Sequence, residues 1–118
     1  MKKQLILGYC PTRRDVFDRN EAIKVSKLIR ESISAYPIQI IDIEGINEES
    51  LLFRQEDIEQ IVDRFTAAKV DALFFPHCNF GSESLVSQIA RSLKVPVLIW
   101  GPRDDAPDSD GIRSRDSL

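Results

Sequence analysis

Four apolar runs alternate with three stretches of helical spacing along this chain. Residues 4–9, 38–43 and 97–100 predict strands, and 70–76 contains another. Ala22, Val25, Ile29 and Ile33 recur at three- and four-residue intervals, which predicts a helix over 15–35 with one apolar face. Asp15 or Asp18 can cap its start by accepting from first-turn amides, and Tyr36-Pro37 ends it. Ile58, Ile61, Val62, Phe65 and Ala68 mark the inner face of a helix over 55–68. Leu85, Val86, Ile89, Ala90 and Leu93 do the same for 82–93. The stretch 46–54 reads as a loop, with room for one short helical turn.

Strands rich in Val, Ile, Leu and Phe that alternate with amphipathic helices predict a parallel sheet covered on both faces. Right-handed crossovers then favour a doubly wound, flavodoxin-like α/β fold, with three layers (αβα) and strand order 2-1-3-4. Residues 1–100 form the expected domain. Residues 101–118 lack apolar periodicity, and Pro102, Asp104, Asp105, Pro107, Asp108, Asp110 and Gly111 all oppose regular structure. We therefore expect a fold truncated after its fourth strand, with no covering helix following it. We expect either a longer protein of which this is the N-terminal piece, or a partner that covers the gap.

Composition narrows the functional classes. A net charge of −3 with scattered basic residues gives no nucleic-acid footprint. The apolar stretch after Met1-Lys2-Lys3 is too short for a signal or a membrane span, so a cytoplasmic location is expected. Cys10 and Cys78 are too few for a disulfide scaffold, and both follow strand-like runs, so free thiols are expected.

In open parallel sheets, ligands bind outside the carboxyl ends of the strands. There the predicted order gathers Cys10, Arg13, Arg14, His77, Cys78, Asn79, Phe80, Trp100 and Arg103. The amides opening the helix at Gly81-Ser82 point to the same rim and favour a phosphate, carboxylate or hydroxyl. Asn79 can donate and accept at once, which suits a polyol, and Phe80 and Trp100 offer flat faces to a sugar ring. Each residue also has a plainer role. His77 can be a packing residue, the cysteines can be core, and Arg13-Arg14 can be solvated beside the first helix. No Cys-x-x-Cys, phosphatase-loop arginine, EF-hand spacing or dinucleotide fingerprint is present. His77 and two cysteines fall short of a zinc ligand set.

Four segments carry a family resemblance. They are Gly8-Tyr9-Cys10-Pro11-Thr12-Arg13, the run from Val70 to Glu83 centred on Pro76-His77-Cys78-Asn79-Phe80-Gly81, the run Val95 to Asp104 containing Trp100-Gly101-Pro102-Arg103, and Asp110-Gly111-Ile112-Arg113-Ser114-Arg115-Asp116-Ser117. In order and over nearly the whole chain, they resemble the N-terminal domain of the L-fucose/L-arabinose isomerase-like family. The resemblance implies an aldose–ketose isomerase that moves a hydrogen between the first two sugar carbons through an enediol. It implies a divalent metal, usually manganese, held by later domains, with no cofactor in this chain. It also implies a monosaccharide substrate and a homo-oligomer in which this domain completes a neighbour's pocket. Arg13 or Arg14, with His77, Cys78, Asn79 and Phe80, would be the substrate-orienting residues, and the chain alone would be inactive. Two other readings stay open: a stand-alone module that binds a small sugar or phosphate, and a thiol enzyme using Cys78 or Cys10.

Overall fold

The computed structural model describes residues 4–79 and 81–101. Phe80, Arg103 and the acidic stretch after Gly101 lie outside the described residues. The elements are β1 (Leu5–Tyr9), α1 (Arg19–Ile33), β2 (Ile38–Ile41), a 3₁₀ turn (Gln55–Asp57) leading into α2 (Ile58–Ala68), β3 (Ala72–Pro76), α3 (Glu83–Leu93) and β4 (Val97–Trp100). The four strands form one parallel sheet in the order β2-β1-β3-β4. With helices on both faces, this is the α/β three-layer fold that the alternation predicts.

The two sides of the sheet follow from the period-2 alternation of β3. Leu73 and Phe75 point to one side, where Ile61 and Phe65 of α2 and Leu85, Val86 and Ile89 of α3 close over them. Phe74 points to the other, against Tyr9 and Ile29 of α1. Gly8 lets β1 run tight beneath the first group. A Cβ there would lie 2.8 Å from Leu73 Cδ2 and 3.3 Å from Phe65 Cε2. Asp71 ties the amino ends of two strands. Its N–H donates to the carbonyl of Ile6 at 2.7 Å, and its Oδ2 accepts the N–H of Ile6 at 2.8 Å.

Some boundaries differ from the sequence expectation, each for a local reason. The first helix starts at Arg19 rather than at 15. Of the two candidate caps it is Asp18 that acts, its Oδ1 accepting from the N–H of Asn20 at 2.8 Å and of Glu21 at 3.1 Å. Asp15 is instead paired with Arg13. The second strand stops at Ile41, because Asp42 turns back to accept the N–H of Glu44 and Ile43 enters the core. Helices α2 and α3 end on Lys69 and Lys94, both at positive φ (54° and 53°).

Strand β4 forms one edge of the sheet, and all four of its residues are exposed. Their exposure runs from 40% at Val97 to 59% at Leu98, although every one is apolar. The expected thin cover is thus concentrated on this strand. Among the described residues it pairs with β3 on one side only, and no strand pairs with its other edge.

Candidate functional site

At the carboxyl edge the sheet does not simply stop. Thr12 bridges to Leu52 on one side and to His77 on the other, both in parallel sense. The N–H of His77 donates to the carbonyl of Trp100 at 2.8 Å, and that of Cys78 to Thr12 at 2.9 Å. The loops after β1, β2 and β3 therefore continue the ladder for one more rung, joined to Trp100 at the end of β4, with Thr12 fully buried at its centre.

Asn79 fastens the same loops from above. Its Oδ1 accepts the backbone N–H of Arg14 at 2.9 Å, and its Nδ2 donates to the carbonyl of Asp18 at 3.3 Å. Both ends of the amide expected to meet a polyol thus serve the loop after β1. Ser82, the residue before α3, donates its hydroxyl to the carbonyl of Arg13 at 3.3 Å and makes no side-chain cap. The first-turn amides of α3 receive no capping oxygen from it, and they open on the rim beside Arg14.

The two arginines part company. Arg13 is buried, 6% exposed, which sequence alone does not foresee. Its Nε donates to Glu49 Oε1 at 2.5 Å and its Nη2 to Glu49 Oε2 at 2.9 Å, a bidentate pair. Nη1 reaches Asp15 at 3.1 Å, and the guanidinium lies 3.8 Å from the ring centroid of Phe53. A cation held this way is not an open anion grip. Arg14 is exposed, and among the described residues its guanidinium has no ion-pair partner.

His77 lies half-buried with its ring against Gly81. A Cβ on Gly81 would fall 2.3 Å from His77 Cε1 and 2.6 Å from both ring nitrogens, so only glycine admits the imidazole. Nε2 is enclosed and has no hydrogen-bond partner. Burial lowers the pKa of His77 below its ordinary 6.5, with Glu83 opposing, so the ring is neutral at pH 7.

The thiols face inward. Cys78 sits in a small cluster with Ala22 and Leu51, and Cys10 is fully enclosed in the main core. Burial pushes the Cys78 thiol up to about 12 and that of Cys10 higher still. Both are therefore thiols, not thiolates, at neutral pH, which removes the support for a thiol enzyme. Trp100 remains 44% exposed, its ring 6.4 Å from that of Phe74 on the α1 side of the sheet.

The edge thus brings together Arg14, His77, Asn79 and Trp100 as a rim. Arg13 and Cys78 lie beneath it as support, and Phe80 and Arg103 fall outside the described residues. Sequence reasoning missed Glu49 and Phe53, and the tying roles of Thr12 and Ser82. The adjacent Glu48-Glu49 before the apolar Leu51-Leu52 was the one available hint that a loop carboxylate turns inward.

Among the described residues, no three histidine, cysteine or carboxylate side chains lie together so as to hold a metal ion. No helix among them is long and apolar enough to cross a membrane.

The family model described as "Fucose/sulfoquinovose isomerase, N-terminal domain" matches residues 8–118. Neither a curated protein nor a solved structure matches the chain.

Proposed function

Because this chain belongs to the fucose/sulfoquinovose isomerase N-terminal domain family, we propose that it orients the substrate of a metal-dependent aldose–ketose isomerase acting on a monosaccharide. It does so as part of a homo-oligomer. The observation that carries the reading is the tied rim. Loops after three strands share hydrogen bonds, and they hold Arg14 beside the open start of α3.

Isomerisation of an aldose moves a proton between two carbons and needs an acid/base pair with an electrophile at the oxygens. The described residues do not fit that electrophile: no ligand set for a divalent ion converges among them. In this reading the metal, manganese by family analogy, and the acid/base groups sit outside the described residues. The role left to this chain is placement. The Arg14 guanidinium donates to hydroxyl or anionic oxygens of the sugar, the α3 amides add donors, and Trp100 supplies a flat wall. Held by Asn79 at its backbone, Arg14 is preorganised, and small misplacement of a substrate lowers rate strongly. A cytoplasmic location goes with this reading, and two buried, unpaired thiols suit a reducing compartment.

The test is Arg14→Ala in the full-length isomerase. We expect kcat/KM to fall by about tenfold or more, with an unchanged melting temperature. Unchanged kinetics would remove the rim from substrate binding. The alternative, a free-standing module for a small sugar or phosphate, has one point in its favour: Asn79 and Ser82 tie the rim's loops by hydrogen bonds made within this chain. Saturable calorimetric heat from the 118-residue chain with a sugar phosphate, lost in Arg14→Ala, would favour it.

A further inference from the structure

On the β2 side of Tyr9, away from Asn79 and His77, a cleft of about 420 Å³ opens between α1 and the loop that follows β2. That volume lies within the range of small-molecule sites. Its floor is apolar, from Tyr9, Ile23 and Ile43. The Tyr9 hydroxyl is already engaged, donating to the carbonyl of Ser26 at 2.8 Å.

The walls differ in chemistry. Helix α1 lends Lys27, Arg30 and Glu31, and the facing loop lends Asp42, Glu44 and Glu48. Glu49 also lines the cleft but is neutralised by Arg13. Among the described residues, Lys27, Glu31, Glu44 and Glu48 have no ion-pair partner. The one pair across the cleft is loose. Arg30 Nε stands 3.5 Å from Asp42 Oδ2 and makes no hydrogen bond. Arg30 thus keeps its donors unspent.

We propose that this cleft is a second binding site, for a neutral polyhydroxylated molecule of monosaccharide size. A sugar hydroxyl both donates and accepts. It can therefore donate to the carboxylates of the loop while accepting from Lys27 and Arg30 on the helix. An anionic ligand meets three unpaired carboxylates, Glu31, Glu44 and Glu48, against one unpaired cation, Lys27, so phosphate esters are disfavoured. A wholly apolar ligand leaves both walls desolvated without partners. The site shares no polar side chain with the rim, so it stands or falls separately from the substrate-orienting role.

The experiment is a titration of the ¹⁵N-labelled 118-residue chain with L-fucose, L-arabinose and glucose 6-phosphate, followed by amide shifts. Saturable shifts at Ser26, Lys27, Arg30, Glu44 and Glu48 with a neutral sugar, and binding of the phosphate at least about tenfold weaker, support the site. Arg30→Gln should weaken the neutral sugar about tenfold. Lys27→Gln, on an exposed side chain that leaves the fold intact, should weaken it several-fold. Absence of saturable shifts in 25–31 and 42–50, equal or tighter phosphate binding, or unchanged affinity in Lys27→Gln overturns the proposal. Shifts confined to 11–14 and 77–82 also overturn it, while supporting the rim.

Discussion

The side chain of Asn79 accepts the backbone N–H of Arg14 at 2.9 Å, so a residue after the third strand fixes the start of the loop after the first. Sequence separation between them is 65 residues. Removing the amide should loosen the rim more than the core. Asn79→Ala is expected to cost about 1–2 kcal/mol in urea unfolding, because the Arg14 N–H and the Asp18 carbonyl lose a partner. Asn79→Asp keeps an oxygen for Arg14 but loses the donor to Asp18, and should cost less than the alanine variant. Equal stability of Asn79→Ala and wild type would show that the tie carries no energy.

The Arg13–Glu49 pair invites a different test, since both side chains are at most 10% exposed. Breaking a buried pair leaves one charge desolvated. Glu49→Ala or Arg13→Ala should each cost about 3–5 kcal/mol. The double change Arg13→Ala with Glu49→Ala should cost much less than the sum, because neither member of the buried pair is then stranded. A double-mutant cycle in chemical denaturation reads the coupling directly.

His77 gives a pH handle, and as the only histidine it yields a single resonance. Its folded pKa lies below the ordinary 6.5, chiefly through burial. Between those two values the unfolded chain binds more protons than the folded one. Stability should therefore fall as pH drops below about 6.5, and level off beneath the folded pKa. His77→Gln should flatten that acid limb, and a limb that persists would have to come from other groups. Gly81→Ala should displace the ring and lower the melting temperature. His77→Ala in the same chain should recover part of the loss, since the colliding ring is gone.

The thiols should be silent in the native state. With Cys78 pushed up to about 12 by burial, and Cys10 fully enclosed, reaction with Ellman's reagent at pH 7 should be far slower than for a model thiol. In urea both should react at once. Native labelling as fast as a free thiol would contradict the packing. The linkage runs toward alkaline pH: above about 9 the unfolded thiols ionise while the folded ones stay protonated, so stability falls as pH rises through that range.

Much of this architecture was legible because it rests on local pattern. The apolar run Val97–Trp100 became a strand over the same residues, and the order of the sheet followed from handed crossovers. The start of α1 was harder, because Asp15 and Asp18 compete as caps and only the pairing of Asp15 with Arg13 decides between them. The fate of Arg13 was not legible at all. Its partner Glu49 lies 36 residues away in a loop with no periodicity, and the Glu48-Glu49 step before Leu51-Leu52 hints at an inward carboxylate without saying which cation it meets. Asn79 was recognised as special, but its two hydrogen bonds go to backbone groups, which every residue carries. A side chain aimed at a ligand and one aimed at a neighbouring loop look the same in sequence.

The extra rung at the carboxyl edge carries a consequence for engineering. Leu52, Thr12, His77 and Trp100 are joined in series, each to the next, through backbone groups. None of the four segments can be exchanged singly without breaking a bond held by another. A loop graft from a relative would have to move all four together, as one cassette. The same linkage makes recombination points natural at the far, amino-terminal ends of the strands, where Asp71 and Ile6 make the only comparable cross-tie described between β1 and β3.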